Sequence, residues 1–431
     1  MLPRHCLLVL LLTTLFTTGC AVNPVTGKKE LSFLSVQQEI QIGQQQYRPQ
    51  LQSQGGRYYV DNELQFYINE VGQRLAKVSD QPGLPYEFTV LNSSVPNAWA
   101  LPGGKIAINR GLLSYLEDES QLAAVLSHEI VHAAARHTAA RLSQQQLLQA
   151  GLAVAGGFAK DTQYQGALSQ WGGLGASALL ARYGRDDELE SDEYGMLYMK
   201  RAGYDLQGAV ELQQVFVRLS QGRRNDPISA LFASHPPSQQ RVDANKQHAV
   251  RLGAGGNRYR SRYQRAIAQI KKDAPAYKAA SEAQALLQQK KPREALQKLD
   301  RAVALQPAES EFWELRGIAW EMQNNLANAE KSYTTAIGKN PAYFKPHILR
   351  GLARLQQNEA AAAEKDLLAS YRILPTLTAS YYLGEFAYQR RNYSAARKYF
   401  QEAAQGNGDL SQKARQRITE MQPPAQQQTQ P

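Results

Sequence analysis

Cysteine is almost absent from this sequence, with only Cys6 and Cys20 among its 431 residues. Cys6 lies inside an N-terminal apolar segment, so a chain that has lost that segment keeps at most one cysteine. An intramolecular disulfide is therefore excluded. A metal site built from thiolates is excluded for the same reason, and any bound metal must use histidine and carboxylate ligands.

Long apolar runs are also scarce. The run Cys6–Phe16 is too short to cross a bilayer and is typical of a secretory signal peptide. After this run come Thr17, a second threonine, a glycine and Cys20. This short stretch resembles a bacterial lipoprotein box, except that such boxes carry Leu at the position of Thr17. We therefore expect residues 1–19 to be a signal peptide and Cys20 to be lipidated. By the same resemblance, Ala21 directs the product to the outer membrane. Cleavage elsewhere is the alternative, although no A-x-A site lies nearby.

The chain also has no excess of acidic residues. It contains 49 Lys and Arg and 38 Asp and Glu, which gives a formal net charge of +11. The basic residues are scattered and form no stripe with interleaved aromatics, so nucleic acid is not expected as a partner. A mildly basic surface suits a protein that lies near anionic lipid. With 43% hydrophobic and 20% charged residues, the chain is globular and long enough for two or three domains.

The C-terminal third carries an internal repeat. Pro307, Pro341 and Pro375 recur at a spacing of 34 residues, the tetratricopeptide period. Small residues precede each proline at fixed distances, where paired helices approach closely: Ala295, Ala302, Ala329, Ala336, Ala363 and Ser370. We expect about four helix pairs over residues 276–420, the last atypical as a cap would be. The tail 421–431 is of low complexity and is expected to be disordered.

Hydrophobic periodicity predicts the elements that precede the repeats. The predicted strands are Tyr86–Asn92 and Lys105–Asn109. The predicted helices are Val36–Tyr47, Asn62–Val78, one long helix Glu117–Leu142 and an acidic helix Arg185–Met199. A Gly-rich stretch further on predicts a linker over residues 253–275.

Seven histidines occur in the chain, and two of them, His128 and His132, lie four residues apart in "SHEIVH". At about 100° per residue they share one helix face, so both imidazoles can reach one ion at about 2.1 Å. Glu129 then points beside the ion, where it can take a proton from a bound water. This is the H-E-x-x-H pattern of zinc proteases. The alternative is a helix with two ordinary buried histidines, and the clustering of so few histidines argues against it.

A catalytic zinc keeps three protein ligands and an open position for water. No histidine follows His132 at the spacing of a third ligand. His137 lies about 140° further round the helix and is expected to be structural or to support a ligand. The later stretch "DDELESDEYG" offers carboxylates, of which Glu188 and Asp192 share a helix face, so one can ligate while the other braces the site. The alternative is an ordinary solvated acidic face.

Four segments together resemble peptidase family 48, the gluzincin metallopeptidases related to the CAAX prenyl-protein endopeptidase and the HtpX heat-shock protease. They are "SHEIVH", "NAWALPGGKIAINRGLL", "RDDELESDEYG" and "SHPPSQQR". The repeat domain and "NPVTGKKELSFLS" are similar to the periplasmic, BepA-type branch of that family, which enhances beta-barrel assembly. The resemblance covers nearly the whole mature chain.

The resemblance also implies roles for individual residues. Glu188 matches the Glu of the family's E-x-x-A-D pattern and would be the third zinc ligand, although Ser191 replaces the Ala. Asp192 would support the site from behind a ligand. His235 would occupy the open zinc position as a regulatory fourth ligand and hold the enzyme latent. Arg241 would orient the substrate or stabilise the transition state.

Together these features predict an α+β protein. A mainly helical zincin-type metalloprotease domain with a small sheet is expected over residues 20–252, followed by an all-α tetratricopeptide repeat solenoid. The predicted activity is that of a zinc-dependent endopeptidase, with one Zn²⁺ per chain and Glu129 as general base. Extended substrate is expected to bind by β-augmentation to the strand formed by Lys105, Ile106, Ala107, Ile108 and Asn109.

The expected substrates are unfolded or misassembled envelope proteins. The repeats are expected to bind the outer-membrane assembly machinery, with a chaperone-like role in assembly beside proteolysis. We expect a periplasmic protein held at the outer-membrane surface by its lipid. Two alternatives stay open: a non-catalytic repeat scaffold whose zinc is structural, and a peptidoglycan-processing enzyme. The presence of Glu129 argues against the scaffold, because a structural zinc site has no use for it.

Overall fold

The computed structural model describes residues 20–155, 182–221, 228–253 and 255–421. It divides into two compact units, Met1–Lys271 and Lys272–Pro431. The signal peptide predicted over residues 1–19 lies outside the described residues, as does the predicted tail except for its first residue. None of the described helices combines the length and the apolarity that a bilayer crossing would need.

The first unit is mainly helical with two small sheets, as predicted. Its strands are β1 (Cys20–Val22), β2 (Lys29–Leu31), β3 (Glu87–Leu91), β4 (Ala98–Leu101) and β5 (Lys105–Asn109). Its helices are α1 (Val36–Ser53), α2 (Asn62–Ala76), α3 (Arg110–Leu113), α4 (Glu119–Ala134), α5 (His137–Ala155), α6 (Arg185–Arg201), α7 (Gln207–Ser220), α8 (Ser229–Ser234), α9 (Gln239–Leu252) and α10 (Arg260–Ala266).

Helix α4 is the central helix of this unit. It begins at Asp118, whose side chain accepts a hydrogen bond from the amide of Gln121 at 3.0 Å and so caps the first turn. Apart from its first turn and the site residues, its buried side chains are small or aliphatic, and they pack against α2, α6, α7 and the sheet. This position in the core fixes the direction of every side chain that α4 carries.

The prediction of one long helix over Glu117–Leu142 is wrong, because the chain breaks between α4 and α5. Arg136 adopts the left-handed conformation, with φ of 65°, which no α-helix accommodates. Contacts to other parts of the chain hold it there: Nε donates to the carboxylate of Glu39 at 2.7 Å, and Nη2 donates to the carbonyl of Leu34 at 2.5 Å. The break turns α5 away and changes where His137 points.

The larger sheet has the strand order β3-β5-β4. Strand β5 pairs in parallel with β3 on one side and antiparallel with β4 on the other. The prediction that Lys105–Asn109 binds substrate by strand addition is therefore wrong, since both edges of this strand already carry hydrogen bonds. Strand β4, which was not among the predicted strands, is an edge strand beside β5, and its outer edge pairs with no other strand among the described residues.

The second unit contains four helix pairs and a single last helix within its described residues, close to the number predicted. The helices are α11 (Ala268–Gln288, which begins just before the unit), α12 (Pro292–Leu305), α13 (Ser310–Glu321), α14 (Leu326–Lys339), α15 (Phe344–Gln356), α16 (Ala360–Ile373), α17 (Leu377–Gln389), α18 (Tyr393–Ala403) and α19 (Asp409–Glu420). Paired helices approach closely at small residues. A Cβ added to Gly317 would lie 2.2 Å from the ring of Tyr333 on the next helix.

Candidate metal centre

The site lies where helix α6 crosses helix α4. Gly195 permits this crossing, because a Cβ there would lie 3.2 Å from the Ser127 hydroxyl of α4. On α4, the Nε2 atoms of His128 and His132 converge to 3.1 Å. From the first turn of α6, the Glu188 carboxylate approaches each of these nitrogens at 3.5 Å. All three side chains are buried.

These three side chains fit a divalent metal ion. Ligand atoms bound at about 2.1 Å to one tetrahedral ion lie about 3.4 Å from each other, close to the spacings among His128, His132 and Glu188. With His235, the candidate ligand atoms all lie within 4.8 Å of one another. Burial lowers the pKa of His132 well below its ordinary value, so the imidazole is neutral, which is the form that binds metal.

Glu129 lies beside this cluster without ligating geometry. It is 2% exposed, and its Oε2 atom has no hydrogen-bond partner. Burial raises its pKa. Its Oε1 atom is 3.6 Å from the Nε2 atom of His235. A buried carboxylate with a free oxygen next to a metal site is placed to accept a proton from water.

Asp192 and Arg241 support the first imidazole and the carboxylate. The Nδ1 atom of His128 donates to Asp192 at 3.0 Å, which leaves its Nε2 atom free to ligate. Arg241 holds Asp192 with two hydrogen bonds of 2.7 and 2.8 Å and donates to Glu188 at 2.6 Å. Burial alone would raise the pKa of Glu188, but the charges of His235 and Arg241 outweigh it and lower that pKa well below its ordinary range.

His235 covers the cluster from the loop between α8 and α9. The Nδ1 atom of this residue is 2.9 Å from Glu188 and 3.4 Å from the Nε2 atom of His128. The loop is short because Ser238 caps α9, its hydroxyl accepting from the amide of Arg241 at 3.2 Å. The structure therefore brings His235 to the cluster from a separate element.

Two further residues contact the cluster that were not predicted from the sequence, Tyr183 and Glu190. The ring of Tyr183 stacks on His132 at 3.7 Å between centroids, and its hydroxyl bonds with Thr138 at 3.0 Å. Glu190 contacts the site indirectly, because its Oε1 atom lies 3.2 Å from the Nε2 atom of His137. No spacing rule marks Tyr183. Glu190 belongs to the acidic helix but lies on the other side of it from Glu188.

A cavity of about 50 Å³ adjoins Glu129 and His128. Its walls are mainly apolar, with Val125, Met196, Met199, Leu212, Phe216 and Leu231, and Ala98 of strand β4 lies at its margin. Glu129, which has a free carboxylate oxygen, also lines the cavity. An apolar side chain bound in the cavity would therefore lie next to this candidate proton acceptor.

Comparison with known proteins agrees with this geometry. The model of peptidase family M48 matches residues 62–249, a range that contains the larger sheet and runs from the start of helix α2 into helix α9. A tetratricopeptide repeat model matches residues 281–344 and 348–410 of the second unit. The two matches therefore fall in separate units.

Three curated proteins are similar in sequence to part of this chain. The metalloprotease YcaL of Escherichia coli K12 is 30% identical over 42% of this chain and 71% of its own. The mitochondrial metalloendopeptidase OMA1 of Schizosaccharomyces pombe is 28% identical over 51% of this chain and 63% of its own. The beta-barrel assembly-enhancing protease of E. coli K12 is 29% identical over 54% of this chain and 48% of its own. The chain thus matches about half to two thirds of the length of the latter two relatives.

Proposed function

The chain belongs to peptidase family M48, and from this premise we propose that it is a zinc-dependent endopeptidase. The observation that carries the proposal is the convergence of His128, His132 and Glu188 beside Glu129, whose carboxylate keeps one oxygen unpaired. Zinc suits a buried set of two imidazoles and one carboxylate that leaves a position open. These three residues are the proposed ligands.

When bound, such an ion polarises the scissile carbonyl and lowers the pKa of an attacking water. Glu129 accepts the proton of that water and returns it to the leaving amine. The burial of Glu129 raises its pKa, which makes it a stronger base for the first transfer. Asp192 and Arg241 hold His128 and Glu188 in orientation throughout.

The substrate is proposed to lie along the edge of β4 rather than β5. Strand β4 carries the outer edge of the sheet, and Ala98 at its start lines the cavity that Glu129 and His128 also line. An extended peptide that pairs with this edge would pass beside the cavity that Glu129 lines. Since strand addition uses main-chain hydrogen bonds, it accepts many sequences but requires an unpaired, extended segment.

His235 is proposed to keep the enzyme latent. It lies 2.9 Å from Glu188, 3.4 Å from His128 and 3.6 Å from Glu129, and so occupies the space above the proposed ligands. As a fourth ligand it would take the position that water needs. Movement of the loop that carries it would open the site.

The cellular role is proposed to be quality control of envelope proteins in the bacterial periplasm. One relative is named for enhancing beta-barrel assembly, which supports this setting. The repeats, a fold that binds proteins, would hold an outer-membrane assembly component or a stalled client and would also permit a chaperone role. Lipidation of Cys20 would hold the protein at the outer membrane.

The substitution Glu129→Gln tests the proposal. The variant is expected to retain one zinc per chain by elemental analysis and to lose cleavage of unfolded casein, because the amide cannot accept the proton. Glu63→Gln, an exposed residue of α2, is the matched control and should cleave as the unmodified protein does. Stoichiometric zinc with undiminished cleavage by Glu129→Gln would reject the mechanism. If the variant loses cleavage yet restores every defect of a deletion strain, the chain acts as a scaffold.

A further inference from the structure

The second imidazole, His132, has a hydrogen-bond partner of its own. Its Nδ1 atom lies 2.9 Å from the Nδ1 atom of His137. In an unbroken helix His137 would point about 140° away from His132. The left-handed Arg136 turns the chain between them, and this turn is what brings the two rings together.

The contacts continue from His137 to the N-terminal turn. The Nε2 atom of His137 is 3.2 Å from the Oε1 atom of Glu190. The same oxygen accepts a hydrogen bond from the side-chain amide of Asn23 at 2.9 Å. Four side chains, each from a different element, therefore form one continuous series, which ends in the turn between β1 and β2.

Only one arrangement of protons satisfies this series if His132 ligates through Nε2. The Nδ1 atom of His132 must then carry its proton and donate it to His137. His137 consequently accepts at Nδ1 and holds its own proton on Nε2, which it donates to Glu190. Glu190 is acceptor-only as a carboxylate and receives from both His137 and Asn23. Every donor in the series faces an acceptor.

Asn23 forms a fixed end to this series, because it is buried and several hydrogen bonds hold its side chain. It is 2% exposed. Its Oδ1 atom accepts from the amides of Val25 and Thr26 at 2.9 and 3.3 Å, which closes the turn. Its Nδ2 atom donates to Glu30 at 2.8 Å as well as to Glu190. The side chain thus uses its oxygen to build the turn and its nitrogen to hold Glu190.

We propose that Asn23, Glu190 and His137 are positioning residues that fix the orientation and the proton of His132, so that docking of the N-terminal turn strengthens metal binding. This inference rests on the proposed function in one respect, that His132 is a metal ligand. His128 has a separate support in Asp192 and Arg241, so the turn acts on one imidazole and not on the other.

Zinc affinity, measured by competition with a chromophoric chelator, tests the inference. His137→Ala and Glu190→Ala are expected to weaken binding about 10- to 100-fold, the usual effect of removing a partner of a ligating histidine. Asn23→Asp keeps the oxygen that closes the turn but replaces the donor with a second carboxylate oxygen that repels Glu190. It is expected to weaken binding about tenfold. Thr26→Ala, which removes only a 3.2 Å hydrogen bond within the same turn, is the control and should bind as the unmodified chain does.

Cobalt substitution provides a second readout that general destabilisation does not move. The visible absorption of bound Co²⁺ reports ligand geometry, and it should change in His137→Ala and Asn23→Asp but not in Thr26→Ala. Variants that melt at lower temperature yet keep the affinity and the cobalt spectrum of the unmodified chain would overturn the inference, because their role would then be structural only. If the unmodified chain binds no zinc, the proposed function itself fails, and the two failures are thereby distinguished. Should Glu190→Ala not fold, Asn23→Asp decides.

Discussion

Arg241 donates two parallel hydrogen bonds to Asp192, from Nε to Oδ2 at 2.7 Å and from Nη2 to Oδ1 at 2.8 Å. Both side chains are buried, and Arg241 donates to the Glu188 carboxylate as well. The guanidinium therefore pairs with two buried carboxylates inside the unit. Because buried charges without partners are costly, this pair controls both the stability of the fold and the arrangement of the site.

Replacing Arg241 by Ala is expected to lower the free energy of unfolding by about 3–5 kcal/mol, since it leaves Asp192 and Glu188 buried without their cation. Urea unfolding in the presence of a chelator measures this loss apart from metal binding. Arg251→Ala is the control, because Arg251 pairs with Glu193 at the surface, where an ion pair contributes about 1 kcal/mol or less. Equal losses in the two variants would contradict the buried pairing.

Removing the metal is expected to lower the melting temperature. Zinc that binds only the folded chain stabilises it by about 2.7 kcal/mol when free zinc stands at 100 times the dissociation constant. Differential scanning calorimetry with a chelator and then with restored zinc measures the shift. In His132→Ala the shift should be greatly reduced or lost, and a full shift in that variant would show that the ion binds elsewhere.

His235→Ala is expected to raise basal cleavage of casein, because it clears the space beside Glu188 and Glu129. Initial rates at equal zinc occupancy provide the measurement. His248→Ala on helix α9 serves as the control, since His248 lies near Glu193 and is not one of the proposed metal ligands, and its rate should equal that of the unmodified chain. A rate for His235→Ala at or below that level argues against latency.

Gly317→Ala is expected to destabilise the second unit by about 1–3 kcal/mol through overpacking, because the added methyl would lie 2.2 Å from the Tyr333 ring. Gly338→Ala on helix α14 is the matched control, since nothing lies within 4 Å of its Cβ position. That change should be neutral or slightly stabilising. Thermal unfolding followed by circular dichroism separates the two. Casein cleavage at low temperature should be the same in both.

Acidification is expected to stabilise the second unit at Glu314, because it removes the cost of burying a charged carboxylate. Burial raises the pKa of this carboxyl, although Lys345 at 2.5 Å opposes the shift. The folded chain then takes up a proton at a higher pH than the unfolded chain. Stability contributed by this group therefore rises as the pH falls from neutral through the folded pKa towards the ordinary value of 4.5. Urea unfolding of the chain and of Glu314→Gln at several pH values should show a larger rise where Glu314 is present, and the difference between the two variants measures its contribution.

Local periodicity was sufficient for the parts of the site that lie within one helix. The spacing of His128 and His132 predicts that they share a face, and the structure brings their Nε2 atoms to 3.1 Å. The spacing of Glu188 and Asp192 likewise predicts a common face, and both meet α4. The all-helical repeats could be predicted from their 34-residue period, because the same residue pattern recurs in each repeat.

Contacts that depend on distant pairing were not predictable from the residues alone. Strand β5 was predicted at its observed bounds, but its central place depends on β3 and β4, which pair with it through the fold. The approach of His137 to His132 depends on one left-handed residue, Arg136, whose conformation is fixed by Glu39 and Leu34 far away in sequence. No rule of spacing predicts either arrangement.

The groups that surround the two imidazoles come from opposite ends of the first unit, Asn23 near its beginning and Arg241 near its close. A ribosome that has not yet translated Arg241 has therefore made a chain in which the acidic helix is present but its buried cation is missing. Such a nascent chain cannot complete the centre. Completion of the surroundings of the two imidazoles therefore requires both ends of the first unit to have been synthesised and folded together.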